Sequence, residues 1–116
     1  MKIAVLGYGT VGSGVAEVLE TNRELIARRA GQEIEIKYVL DLRDFPGDKI
    51  QEKIVHDYQI IAEDPEIEAV VEVMGGIEPA HTFVKQALLA GRHTVTSNKA
   101  LVARHGAELL EIARER

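Results

Sequence analysis

Apolar residues fall into short continuous runs at about 2–6, 34–40, 69–74 and 93–96, and stretches of helical period lie between and after them. Runs of this length, bounded by turn residues, suit strands buried on both faces, as parallel sheets require. The first helical stretch carries Val11, Val15, Val18, Leu19, Leu25 and Ile26 on or near one side, with Glu17, Glu20, Arg23, Arg28 and Arg29 largely elsewhere. It stops at Ala30-Gly31. Ile34 to Leu40 alternates and then becomes continuous, and Asp41 stands at its carboxyl end. The pattern weakens over 41–68, where Pro46-Gly47-Asp48 marks a turn, Tyr58-Gln59-Ile60-Ile61 fits a further short strand, and Asp64-Pro65-Glu66 fits the start of a helical turn. Pro79 to Ala90 predicts a helix stopped by Gly91, and Ser97-Asn98 open a last helix through Ile112. Strands alternating with helices predict an α/β fold, a Rossmann-like doubly wound parallel sheet with helices on both faces.

At the carboxyl end of the first strand the chain reads Gly7-Tyr8-Gly9-Thr10-Val11-Gly12, a G-x-G-x-x-G between a strand and a helix. The three glycines serve different physical ends. Gly7 turns the strand, Gly9 lets a pyrophosphate approach the backbone, and Gly12 lets the helix pack closely. The helix start points unpaired N–H groups at the phosphates. Two further segments end predicted strands at the same sheet edge, Met74-Gly75-Gly76 and Thr96-Ser97-Asn98-Lys99. Ligands of open α/β sheets bind at that edge.

Composition narrows the partners. With 14 Lys+Arg against 19 Asp+Glu the net charge is −5, and no basic tract or aromatic platform offers a nucleic-acid surface, so no nucleic acid is expected. No apolar stretch approaches a membrane span, so no membrane is expected and the chain reads as a soluble cytoplasmic protein. The absence of cysteine excludes disulfides, thiolate ligands and a cysteine nucleophile. His56, His81, His93 and His105 show no H-x-x-x-H spacing and no carboxylate arranged as a third ligand, so no metal site is expected.

Taken together, G-Y-G-T-V-G-S-G, V-V-E-V-M-G-G-I-E-P-A and V-T-S-N-K-A-L resemble the N-terminal NAD(P)-binding domain of homoserine dehydrogenase over essentially the whole chain. The family usually has Ala where this chain has Ser97, which leaves Asn98 and Lys99 in place. The resemblance implies an NAD(P)-dependent oxidoreductase interconverting L-homoserine and L-aspartate 4-semialdehyde, toward threonine, methionine and isoleucine. It also implies that residues 1–116 form one Rossmann domain. A larger second domain, absent from this chain, would supply most contacts to the small-molecule substrate, a further lysine and the homodimer interface. By itself the fragment is expected to be inactive.

Lys99 is the catalytic candidate. It places a positive charge at the positive end of a helix, which costs roughly 0.3–1 kcal/mol, and such rule-breaking at a ligand mouth points to function. By resemblance it lies near the nicotinamide and the substrate oxygen. Cofactor contacts are expected from Gly7, Tyr8, Gly9, Thr10, Val11 and Gly12, from Asp41 and Arg43, from Met74, Gly75 and Gly76, and from Thr96, Ser97, Asn98 and Lys99. Asp41 suits the ribose 2′-hydroxyl of NAD, whereas Arg43 suits the 2′-phosphate of NADP. The family often carries Arg-Asp after this strand, matched by Arg43-Asp44, which favours NADP with NAD also used. Glu72, inside an apolar strand, and Glu78, before Pro79, read as structural. A stand-alone module that senses NAD(P) without catalysis is the alternative.

Overall fold

The computed structural model describes residues 1–115. One sheet holds β1 (Lys2–Leu6), β2 (Glu35–Leu40), β3 (Ile54–Val55), β4 (Ile67–Glu72) and β5 (His93–Thr96). The spatial order is β3-β2-β1-β4-β5, and every pairing is parallel. From β1 the chain winds outward through β2 and β3, then returns to β4 on the other side of β1. The strand order therefore reverses between β1 and β4, and a ligand crevice opens at such a reversal.

The helices are α1 (Thr10–Thr21), α2 (Arg23–Ala30), α3 (Tyr58–Ala62), α4 (Ala80–Leu89) and α5 (Lys99–Glu115), with a 3₁₀ turn at Lys49–Lys53. Alternate residues of β1 serve opposite faces. Ile3 and Val5 join Ile36 and Ile50 beneath Val15, Ala16 and Leu19 of α1. Ala4 and Leu6 join Leu40 and Val70 beneath Tyr58 and Ile61 of α3 and Ala87 of α4. A third cluster, Ala80, Val84, Leu101 and Leu109, binds α4 to α5. Each fully buried Leu, Ile or Val contributes roughly 1.5–3 kcal/mol, so the β1 strand anchors both layers.

Several local expectations change. The first helical stretch is two helices, broken at Asn22, whose side-chain amide bonds back to the Val18 carbonyl at 3.3 Å. Val11 and Val18 are each 54% exposed and Leu25 is also exposed, so the stripe of α1 that packs on the sheet is the narrower, partly buried Val15, Ala16 and Leu19. Residues 58–61 are helical, not a strand, because the Asp57 carboxylate accepts from the Gln59 amide at 2.9 Å and caps α3. The extra strand is the pair Ile54-Val55 just before it. The run expected at 69–74 pairs as a strand over Ile67–Glu72, and Asp64-Pro65-Glu66 forms a turn without a helix. On β5, the described edge of the sheet, Val95 is largely exposed, so this run is not buried on both faces. The last helix runs on past Ile112 to Glu115.

Candidate functional site

The β1–α1 turn is built by steric necessity. Gly7 has φ +102°, and its amide donates to the Leu40 carbonyl at 2.8 Å, which ties the turn to β2. A side chain there would press on Met74 at 3.2 Å. Gly12 is buried, and a Cβ on it would stand 2.1 Å from the Gly7 carbonyl oxygen. Gly9 differs from both. Its φ of −88° and ψ of −151° suit any residue, and a Cβ there would meet no atom within 4 Å. Nothing in the described protein requires glycine at position 9, and the space in front of it is open.

Helix α1 begins without a side-chain cap and without an acidic residue in its first turn. Ser13 is the first amide to find a carbonyl, that of Gly9, at 2.9 Å. Among the described residues, the amides of Thr10, Val11 and Gly12 have no protein acceptor. Unpaired amides at the positive end of a helix dipole are the kind of backbone that phosphates bind. Thr10 and Val11 are exposed there.

The segment after β2 folds over this turn. Asp41 Oδ2 accepts from the Tyr8 amide at 3.0 Å, and both Asp41 oxygens take the Arg43 guanidinium at 3.0 Å. The Arg43 side chain holds the Asp41 carboxyl down at about 2, helped by the amides of Arg43 and Tyr8 and opposed by burial. The Arg43 guanidinium lies 5.2 Å from the Phe45 ring centroid, and Phe45 meets Tyr8 edge to face at 4.9 Å. The Tyr8 hydroxyl donates to Asp48 at 3.3 Å. Phe45 and Asp48 do not stand out in the sequence; the Pro46-Gly47-Asp48 turn is the one signal there.

The ends of β4 and β5 are joined by a polar network around one buried carboxylate. Glu72 is fully buried, and it accepts from the Met74 amide at 2.7 Å and from the Thr96 hydroxyl at 2.6 Å. Thr96 Oγ1 accepts in turn from the Asn98 amide at 3.0 Å. The Asn98 side chain donates to the Gly76 carbonyl and, through Oδ1, accepts from Leu101 N–H at 3.0 Å, which makes Asn98 the cap of α5. Gly75 and Gly76, both with positive φ, are exposed at the mouth. Ser97 and Lys99 flank Asn98 and are exposed; among the described residues no carboxylate pairs with Lys99. The Gly7–Gly12 turn, Asp41 and Arg43, Met74 to Gly76 and Thr96 to Lys99 thus gather along one sheet edge, beside the β1/β4 reversal.

An open parallel sheet with an uncapped glycine turn at its reversal point defines a dinucleotide-binding α/β domain. Comparison with known proteins makes this particular: the chain belongs to the family described as "Homoserine dehydrogenase, NAD binding domain", whose profile matches residues 7–116. It is 45% identical over 117 residues to the homoserine dehydrogenase of Pseudomonas aeruginosa, covering 100% of this chain and 27% of that protein. It is 35% identical over 122 residues to that of Bacillus subtilis, covering 99% and 27%. A crystal structure of the Staphylococcus aureus homoserine dehydrogenase at pH 8.5 superposes with a TM-score of 0.90 at 38% identity, covering 99% of this chain and 30% of that one. A hyperthermophilic archaeal homoserine dehydrogenase in complex with NADPH gives 0.77 at 25%, covering 98% and 40%. The chain therefore spans little more than a quarter of the curated relatives it matches.

Proposed function

We propose that this chain is the cofactor-binding part of an NAD(P)-dependent homoserine dehydrogenase acting in threonine, methionine and isoleucine biosynthesis. The open space at Gly9, in front of the uncapped start of α1, is the observation that carries this reading. The amides of Thr10, Val11 and Gly12 hold the pyrophosphate, with Tyr8 fixed beside them by Asp41. Arg43, braced on Asp41, receives a 2′-phosphate, so NADP is favoured and NAD is also used. Met74, Gly75 and Gly76 with Thr96, Ser97 and Asn98 form the wall at the nicotinamide end.

A bound nicotinamide would supply the hydride acceptor for oxidation of the homoserine carbinol carbon. The hydroxyl proton must leave at the same time, and Lys99, exposed on the first residue of α5, stabilises the developing alkoxide or passes that proton on. A larger domain outside these residues holds the substrate, adds a second lysine and forms a homodimer in the cytoplasm. Without it the substrate carbon is not held at attack distance, a contribution worth roughly 7–11 kcal/mol, so these 116 residues alone show no homoserine oxidation.

The test is Gly9→Val. Its backbone and surroundings accept a side chain, so the variant folds with an unchanged melting temperature while titration with NADPH and NADH shows binding lost. Undiminished binding in the folded variant overturns the cradle. In the full-length enzyme, Lys99→Ala lowers kcat and kcat/KM together and leaves cofactor affinity near normal; near-normal turnover removes Lys99 from the chemistry.

A further inference from the structure

Folding brings together three side chains that the dinucleotide site does not use. His81 lies in the first turn of α4, and His105 and Glu108 lie three residues apart on α5, on one face of that helix. The ligand atoms of the three lie within 4.8 Å of one another. The His81 side chain is only 16% exposed, and both of its ring nitrogens face carboxylates: Nδ1 is 3.0 Å from Glu78 Oε1, and Nε2 is 2.8 Å from Glu108 Oε1. The His105 ring lies flat on it, with centroids 3.7 Å apart and planes 9° apart.

We propose that His81, His105 and Glu108 form a site for a divalent transition metal of the zinc class, which clamps α4 to α5. A carboxylate only accepts, so the two His81 contacts are hydrogen bonds only when the ring carries a proton on each nitrogen. A cation at Nε2 takes the place of one of those protons, and Glu108 then changes from hydrogen-bond acceptor to ligand. Nδ1–H keeps its bond to Glu78. This is the outer partner that ligating histidines almost always have, a carboxylate that fixes the ring and its tautomer.

Glu78 is itself anchored, since the Thr82 hydroxyl donates to it at 2.6 Å. Two imidazoles and one carboxylate suit zinc, leave a fourth position for water, and do not suit the all-oxygen shells of calcium or magnesium. The framework is already rigid, because Ala80 and Val84 pack against Leu101 and Leu109 directly beneath. Ligand atoms must come to about 2.0–2.1 Å from the ion, so on binding the half-buried His105 ring turns out of its stack on His81 and the exposed Glu108 closes in. The competing cation is Lys85, whose ammonium stands 3.6 Å from Glu108.

Titration with zinc chloride in a non-coordinating buffer, followed by equilibrium dialysis, tests the site, with Co²⁺ as a spectroscopic probe of its geometry. One equivalent binds per chain, Co²⁺ gives the visible absorption of a four-coordinate ion, and the melting temperature rises with metal concentration. His105→Ala and Glu108→Gln each abolish the stoichiometric binding. Glu78→Gln, which touches no metal, weakens it by about 10–100-fold, while His93→Ala on the exposed edge of β5 leaves it unchanged. Circular dichroism confirms the fold of each variant. No stoichiometric uptake, uptake that survives His105→Ala with Glu108→Gln, or uptake lost in His93→Ala overturns the proposal.

Discussion

At the β1–α1 turn the amides of Thr10, Val11 and Gly12 have no acceptor in the described protein, whereas at the ends of β4 and β5 the buried Glu72 carboxylate, the Thr96 hydroxyl and the backbone amides of Met74 and Asn98 satisfy each other. Both regions face the same crevice. The first leaves backbone donors open to the crevice, and the second is complete by itself, so it sets the position of the Gly75-Gly76 backbone and of α5. Glycines divide in the same way: Gly12 is demanded by the fold, since a Cβ would strike the Gly7 carbonyl, while nothing in the fold demands Gly9.

The division is broken most forcefully at Gly12. Alanine in a helix is ordinarily about 1 kcal/mol more favourable than glycine. Here Gly12→Ala destabilises by about 3 kcal/mol or more, because backbone stands where the methyl must go. Urea denaturation decides the sign, and a stabilised variant would erase the distinction between Gly12 and Gly9.

Next in size is Glu72→Gln. An amide cannot accept at both ends as the carboxylate does, so the Met74 amide or the Thr96 hydroxyl is left mispaired, at a cost of about 1–3 kcal/mol in the same assay. An unchanged midpoint would mean that the network does not hold the strand ends.

On the open side, Arg43→Ala weakens NADPH by about 1.5–3 kcal/mol and leaves NADH nearly as it was. Asp41→Ala acts in reverse, because it removes a negative charge from beside the 2′-position. Isothermal titration with both cofactors compares them; equal losses would show that neither residue reads the ribose.

The smallest effect is one of pH. The folded Asp41 carboxyl titrates at about 2, below its ordinary 3.8. A depressed carboxylate contributes stability that is fully present above its unfolded value and is lost as the pH falls through the folded one. The melting-temperature gap between the parent chain and Asp41→Asn is therefore constant from neutral pH down to about 4 and closes toward pH 2.

Much of this architecture is legible in the sequence, for physical reasons. Runs buried on both faces, such as Ile3 to Leu6, announce parallel strands, and a glycine turn after the first of them marks where α1 begins. The third strand is misplaced by pattern alone because a four-residue apolar patch has no period to read. The Asp57 cap, one residue earlier, carries the information that Tyr58 to Ile61 is helical. The break at Asn22 is hidden because Leu25 and Ile26 prolong the apolar pattern across it. At the site, the three converging segments are visible from their place at strand ends, whereas the Tyr8, Phe45 and Arg43 stack depends on how a loop folds back. His81 and His105 are 24 residues apart on different helices, and only packing of α4 on α5 brings them together.

The bare start of α1 also has a signature in time. An amide without an acceptor, next to solvent, exchanges its hydrogen as soon as water reaches it, while amides of the central strands wait for the sheet to open. In deuterium oxide, Thr10 and Val11 label early in the free chain while Val5 and Val70 remain protonated. Saturating dinucleotide slows Thr10 and Val11 without changing the strands. Labelling thus records occupancy of a two-residue stretch of backbone, directly and with no need for substrate or turnover.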